Sequence, residues 1–304
     1  MSGSLSSLFD QQLHLPATLL SMPSSKIEKG WSAHLAQITD RLTNREFAQG
    51  FYNAVPVAGA DPSEYNYRLI QTQGLSIACS LRFKALNVSE PFIEIMLCDR
   101  PLDRETITWI DSIVKEEYSR FKPDRVRYLS LDDDPLCPGD REDFAVFVGD
   151  IAALQAQQKP NRYHDLELRP SMVIEFYPCL LRNYEELFRE RELTPERAAS
   201  LERSLEQGLL YEAFIDGQWA GMMSAHRMTE RFYTGVFIVE EIIDEKFRGQ
   251  GWAPVMQRNF IDQLESDAMV FGEILWWNDR SRRTALRVGR KKCGTAFFHK
   301  IDEF

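Results

Sequence analysis

The chain has 304 residues, 44% hydrophobic and 27% charged, with a formal net charge of -10. That length exceeds a typical single core, so two domains of about 150 residues are expected. The acidic balance disfavours nucleic acid and anionic membrane surfaces as partners and suits a cationic amine.

No run of about 20 apolar residues occurs, and Met1 to Ser7 is small and polar. Neither a membrane span nor a secretory leader is expected, and the location reads as cytoplasmic. Cys79, Cys98, Cys137, Cys179 and Cys293 are odd in number and form no Cys-x-x-Cys pair. Reduced thiols and no metal site are expected.

In chain order, Phe92 to Leu97 is an apolar run, Arg104 to Phe121 has helical spacing, and Val126 to Leu131 is apolar again. Between the first two lies Cys98-Asp-Arg-Pro-Leu-Asp-Arg-Glu105, which has no glycine and three acids. The run Asp132-Asp133-Asp134 before Pro135 reads as a solvated turn at a strand end rather than a metal site.

A second domain is expected to begin near Asn161. His164 to Arg169 reads as a first strand and Val173 to Arg191 as mostly helix. Thr194 and Pro195 read as cap and first residue of a helix over Glu196 to Glu206, closed by Gly208. Asp216-Gly217-Gln218 between the apolar runs Leu209 to Ile215 and Trp219 to Ala225 predicts a hairpin.

Gly235 to Ile243 is β-branched and aromatic, a strand pattern. The stretch Ile243-Asp-Glu-Lys-Phe-Arg-Gly-Gln-Gly-Trp-Ala253 then leads through a glycine-rich crook into a helix, whose apolar residues fall at 255, 256, 260, 261 and 264. Gly249 and Gly251 allow the backbone to turn with its N–H groups pointing one way. The helix start adds unpaired donors and the positive end of its dipole, an arrangement that suits a diphosphate. Pro254 falls in the first turn, where its missing N–H costs nothing. Glu273 to Trp277 reads as a further strand, and Asn278 to Gly289 as a helix opened by capping residues and closed by glycine.

Two motifs therefore stand in order, about thirty residues apart. Arg248, Gly251 and Ala253 fit Arg/Gln-x-x-Gly-x-Gly/Ala, and Asn278, Ser281, Arg282, Arg283, Ala285 and Gly289 fit Asn-x-x-Ser-Arg-Arg-x-Ala-x-x-x-Gly. With these motifs the second half of the chain resembles the GNAT N-acetyltransferase superfamily. The resemblance implies an α/β fold with a mixed sheet and acetyl-coenzyme A as co-substrate, without a metal. It implies cofactor contacts from Ile243, Arg248, Gly249, Gln250, Gly251, Trp252, Ala253, Asn278, Ser281 and Arg283. The activity implied is direct transfer of an acetyl group to a primary amine of a small molecule or peptide. An acyl-coenzyme A-binding regulatory module without catalysis, and an enzyme using a longer acyl group, remain alternatives. Arg280 to Lys292 carries seven basic residues and no acid. Some of them can meet the phosphates, and a solvated helix face explains any one of them equally well.

From Phe92 to Val126 is 34 residues and from Val236 to Phe271 is 35, a spacing that suggests an internal repeat. Two GNAT-like domains in tandem are expected: 1–158, degenerate and unable to bind coenzyme A because acids stand where phosphates would sit, and 159–304, the catalytic domain.

Acyl transfer needs a neutral amine, and a lysine-like amine of pKa near 10.4 is neutral in roughly one molecule per few thousand at pH 7, a deficit of about 4 kcal/mol. Glu240 and Glu241 lie on the strand before the crook, where the family often places a base. They alternate, so only one faces the cleft, and Glu241 ranks lower because it shares parity with Ile243. A backbone N–H near Ile243 would polarise the thioester oxygen, as on the family's splayed strand. The position where many family members carry a tyrosine acid is Ala285. A thiol of pKa near 8.5 leaves readily without a strong acid. Tyr233 and His226 are substitutes, with a packed role the better reading of both. Trp276 and Trp277 are expected on opposite faces of one strand, one in the core and one at the acceptor pocket.

Overall fold

The computed structural model describes residues 24–72, 74–131, 134–188 and 195–301. Of these, 24–146, 230–232 and 293–301 form one unit, and 147–229 with 233–292 form the other.

In unit 1, helix α1 (Ser24–Arg41) buries Ile27, Trp31, His34 and Ile38 at helical spacing. Helix α2 (Arg45–Ala54) opens on Asn44, whose side chain accepts the Phe47 N–H. Strands β1 (Arg68–Thr72), β2 (Leu75–Phe83) and β3 (Pro91–Cys98) follow, then helix α3 (Arg104–Glu117) and strand β4 (Arg125–Ser130). Helix α3 turns Ile107, Ile110 and Val114 to the core, the i, i+3, i+7 stripe of an amphipathic helix. The β3–α3–β4 segment is a parallel crossover with a ladder of two pairs, Ile93↔Val126 and Glu94↔Arg127. Strand β5 (Arg141–Asp150) crosses the unit boundary between Val146 and Phe147.

The division differs from the expected 158/159. The last strand, β11 (Lys291–Lys300), pairs antiparallel with β4 from Thr295↔Ser130 to Lys300↔Arg125, and Phe297 and Ile301 enter the core of unit 1. Apolar patterning marks a strand there and carries no information about its hydrogen-bond partner.

Unit 2 continues with helix α4 (Ile151–Gln155), β6 (Leu166–Pro170), helices α5 (Tyr177–Phe188) and α6 (Ala198–Glu206), strands β7 (Leu210–Ile215), β8 (Gln218–Glu230) and β9 (Tyr233–Ile243), helix α7 (Trp252–Asp262), strand β10 (Met269–Leu275) and helix α8 (Asp279–Arg287). Its sheet order is β10-β9-β8-β7-β6. The expected hairpin is present: Ile215↔Gln218 closes a two-residue loop with Asp216 and Gly217 both at positive φ. Helix α6 begins at Ala198, later than expected, with Arg197 as its cap. Thr194, residues 189–191 of the preceding helical stretch, and Asp132 and Asp133 lie outside the described residues.

Strands β9 and β10 are parallel, and their register runs over three pairs, Met269↔Gly235 to Phe271↔Phe237. Ile238–Ile243 and Gly272–Leu275 lie beyond that ladder, so the strands part before the crook. On these segments the carbonyls of Ile243, Ile274 and Leu275 accept from the side chains of Arg248 and Arg282. Among the described residues no helix is long and apolar enough to cross a membrane.

Candidate active site

After β9 ends at Ile243, Asp244 accepts the Lys246 N–H and starts a short helical turn over Glu245–Phe247. Gly249 has φ +75 and Gly251 φ +82, a region costly for other L-residues. An added Cβ at either position meets nothing within 4 Å, so conformation rather than crowding calls for glycine there. Gly251 is the N-cap of α7 and offers no side-chain hydrogen bond. The N–H groups of Gly251, Trp252 and Ala253 at this helix start have no intrahelical acceptor, and Pro254 has no N–H to satisfy.

The crook is braced from several sides. Arg248 folds back, Nε donating to the Ile243 carbonyl at 2.8 Å and Nη2 donating to Asn183 Oδ1 on α5. Gln250 Nε2 donates to the Lys246 carbonyl at 2.8 Å, and Gln250 Oε1 accepts from Trp252 Nε1 at 3.3 Å. Arg162 Nη1 donates to the Gln250 carbonyl at 3.3 Å, and its guanidinium lies 3.5 Å from the centre of the buried Trp252 ring. Arg162 thus adds a fixed positive charge beside the helix start. A cavity of about 440 Å³ adjoins it, lined among others by Arg162, His164, Phe214, Asp216 and Trp252; neither Glu240 nor Glu241 lines it.

Glu240 and Glu241 point to opposite sides of β9, as strand alternation requires. Glu240 is 6% exposed. The Tyr184 hydroxyl on α5 lies 2.7 Å from both of its oxygens, the Glu241 N–H donates at 3.1 Å and the Glu196 N–H at 3.4 Å. Burial pushes its carboxyl up to about 7, against the opposing pull of these donors. Glu241 is half-buried, and its Oε2 accepts from Gln257 Nε2 on α7 at 2.7 Å. Burial raises it to about 7 as well, with Gln257 and then Arg290 pulling down.

Residues of the second motif make local contacts within the chain. Asn278 caps α8 through the Ser281 N–H at 3.2 Å. Arg282 donates to the carbonyls of Leu275 and Ile274, and Arg283 to that of Asp279 in its own helix. Arg290 is buried, donating to the Phe147 carbonyl and to Gln257. Arg282, Arg283 and Arg290 are therefore engaged within the protein.

No protein-family model matches the chain, and neither does any curated protein. Solved structures do. An acetyltransferase from the GNAT family of Colwellia psychrerythraea aligns with TM-score 0.51 at 9% identity, over 84% of this chain and 95% of that one. A GCN5-related N-acetyltransferase from Sphaerobacter thermophilus aligns with TM-score 0.54 at 12% identity, over 81% and 84%. The chain has the GNAT fold.

Within this GNAT fold, sequence reasoning placed the crook and the two glutamates and missed their supports. Tyr184 sits in a helical stretch rich in aromatic and leucine residues, so its spacing reads as core. Arg162 carries no motif; its φ of +66 is visible only in three dimensions. Trp276 and Trp277 stand in the turn after β10 rather than on it, Trp276 exposed and Trp277 half-buried. His226 Nε2 lies 2.9 Å from the Ser200 carbonyl, and Tyr233 packs on Phe271, the packed roles preferred for both. Ala285 is fully buried.

Proposed function

We propose that this chain is an N-acyltransferase that moves the acetyl group of acetyl-coenzyme A directly to a primary amine of a small molecule or peptide. The observation that carries the reading is the uncapped start of α7 behind Gly249 and Gly251, together with a buried carboxylate on the strand that leads into it. Acetyl-coenzyme A would supply the activated thioester. Gly251, Trp252 and Ala253 would hold its diphosphate by their N–H groups, and the parted edge near Ile243 would receive the thioester oxygen.

Glu240 takes the proton that the amine nitrogen loses as it bonds to the acyl carbon, and the C–S bond breaks to release coenzyme A as its thiolate, which takes up a proton from solvent. Its pKa of about 7 suits a base at neutral pH, because it is half ionised there and still holds a proton well. Tyr184 orients it through the hydroxyl at 2.7 Å from both oxygens. Glu241, bound to Gln257 on the other side of the strand, stands outside this step. Unit 1 is inferred to be a degenerate GNAT copy without a coenzyme A site. A cytoplasmic location remains the working expectation.

Ala285 in place of a tyrosine favours one second reading, an acyl-coenzyme A-binding module without turnover. A panel of primary amines incubated with acetyl-coenzyme A and followed by mass spectrometry separates the two. Acetylated amine supports the enzyme; binding of acetyl-coenzyme A without product from any amine supports the module.

A further inference from the structure

Three side chains of different chemistry meet in unit 1, between the β4–β5 connection and the end of β11. Cys137 Sγ, an Asp140 carboxylate oxygen and a His299 ring nitrogen all lie within 4.8 Å of one another. His299 Nδ1 is 2.7 Å from Asp140 Oδ1, and its Nε2 is 3.1 Å from Asp111 Oδ2. The second oxygen of Asp140 accepts from the Tyr128 hydroxyl at 2.5 Å and from the Cys137 N–H at 3.0 Å. Gly139, at φ +98, makes the tight turn that brings Cys137 and Asp140 together. Cys137 is 8% exposed, and among the described residues its sulfur has no hydrogen-bond partner.

Two occupants suit the space between Asp140 Oδ1 and His299 Nδ1: a shared proton or a metal ion. A proton accounts for the aspartate and histidine and leaves the buried sulfur without a role. A metal ion uses all three groups. We propose that Cys137 Sγ, Asp140 Oδ1 and His299 Nδ1 bind a zinc ion, with Asp111 as the positioning residue that accepts the His299 Nε2–H.

The ligand chemistry fits, since thiolate, imidazole and carboxylate in a tetrahedral set suit zinc. Bonds of about 2.0–2.3 Å at tetrahedral angles place ligand atoms roughly 3.3–3.7 Å apart. The 2.7 Å contact and the 4.8 Å limit bracket that range, so small side-chain shifts complete the geometry. Thiolate and carboxylate balance the two positive charges, and a carboxylate behind the ring fixes the imidazole tautomer and orientation. Binding forms the Zn–S, Zn–O and Zn–N bonds and releases to solvent the thiol proton and the proton held between His299 and Asp140. Water completes the fourth position. The ion ties the 137–140 turn to β11, across 159 residues of sequence between Asp140 and His299. Cysteine spacing cannot signal such a site, because a single cysteine contributes.

The test uses the full chain purified under reductant, stripped with a chelator and titrated with zinc or cobalt(II). One ion per chain is expected, with a thiolate-to-cobalt charge-transfer absorption in the near ultraviolet and a higher Tm in zinc. Cys137→Ser should remove that absorption and weaken zinc binding at least 100-fold. Cys179→Ser, at a half-buried thiol elsewhere, should change neither. Asp111→Asn keeps the three ligands and should weaken binding about 10- to 100-fold. Circular dichroism establishes that each variant is folded. Failure of the stripped wild-type chain to take up either ion, or zinc binding by folded Cys137→Ser within threefold of wild type, overturns the assignment.

Discussion

The two units each contain a parallel strand–helix–strand crossover, and they treat the start of that helix in opposite ways. In unit 1, Asp103 caps α3, its carboxylate accepting the Thr106 N–H at 2.8 Å, and Glu105 adds a second acid in the first turn. Asp99, just before, accepts the Ser76 N–H at 2.8 Å. In unit 2, Gly251 leaves α7 uncapped, with no acid in its first turn. Glycine gives up only a few tenths of a kcal/mol as an N-cap, so stability does not decide between them. Charge distinguishes them: unit 1 supplies its own anion at the helix start, and the first turn of α7 supplies none.

The buried glutamates on the preceding strands repeat the contrast. Glu94 on β3 would be raised by burial, and Arg127, Arg82 and Arg231 outweigh that and hold it far below the carboxylate range. Glu240 on β9 meets hydroxyl and N–H donors but, among the described residues, no cation at hydrogen-bonding distance, and it rises to about 7. A buried carboxylate among arginines is structural; one kept from cations remains able to exchange a proton near neutral pH.

The strongest way to break the comparison is Gly251→Asp, which places in unit 2 the acid that unit 1 already has. Acetyl-coenzyme A binding should be abolished; the side chain meets open space, so the cost to the fold should be limited to a backbone strain of about 1–2 kcal/mol at φ +82, which circular dichroism and Tm check. Titration calorimetry should give one coenzyme A per wild-type chain. A stoichiometry of two, or a variant within threefold of wild-type affinity, would place the phosphate site elsewhere.

Next in size, Glu240→Gln should lower turnover by about 10²- to 10⁴-fold with coenzyme A affinity little changed, and Glu241→Gln should do much less. The base works ionised, so wild-type activity should fall as pH drops through about 7, and that limb should vanish in the variant. The stability sign is the reverse. A raised carboxyl pKa means the folded state binds more protons, so stability decreases as pH rises from the unfolded Glu value near 4.5 to about 7. Glu240→Gln should therefore raise Tm at pH 8, whereas equal small activity losses from both variants would remove these glutamates from the chemistry.

Glu94→Gln tests the structural side. It leaves three arginines without their shared carboxylate and should destabilise unit 1 by about 3 kcal/mol in denaturant unfolding. Because the folded pKa is depressed, the stability Glu94 brings is present above the ordinary carboxylate range and lost on acidification. An unchanged midpoint would contradict the ion-pair reading.

The smallest expected effect is at Arg162. Arg162→Ala removes the stack on Trp252 and one charge beside the crook, and acetyl-coenzyme A affinity should fall about tenfold, or 1.4 kcal/mol. Turnover of an acyl-pantetheine thioester, which has no diphosphate, should not change. Equal losses with both donors would make Arg162 a general structural residue.

Local chemistry was enough to read the crook, the Asp216-Gly217 hairpin, the helical spacing of 255 to 264, and the opposite facing of Glu240 and Glu241. Each depends on backbone torsion or on periodicity within a few residues, which residue types report directly. The acids at 99, 103 and 105 were likewise visible in the sequence, and Asp103 does cap the helix of the first crossover. Tertiary structure alone decided the rest. Strand β11 pairs with β4, far away in the chain, because any apolar strand offers the same unpaired N–H and C=O groups and only assembly selects their partner. The same holds for the two glutamate environments. Nothing in the residues around Glu94 or Glu240 foretells that the first gathers Arg82, Arg127 and Arg231 and the second Tyr184, because burial and the charges of distant segments are set only once the chain has folded.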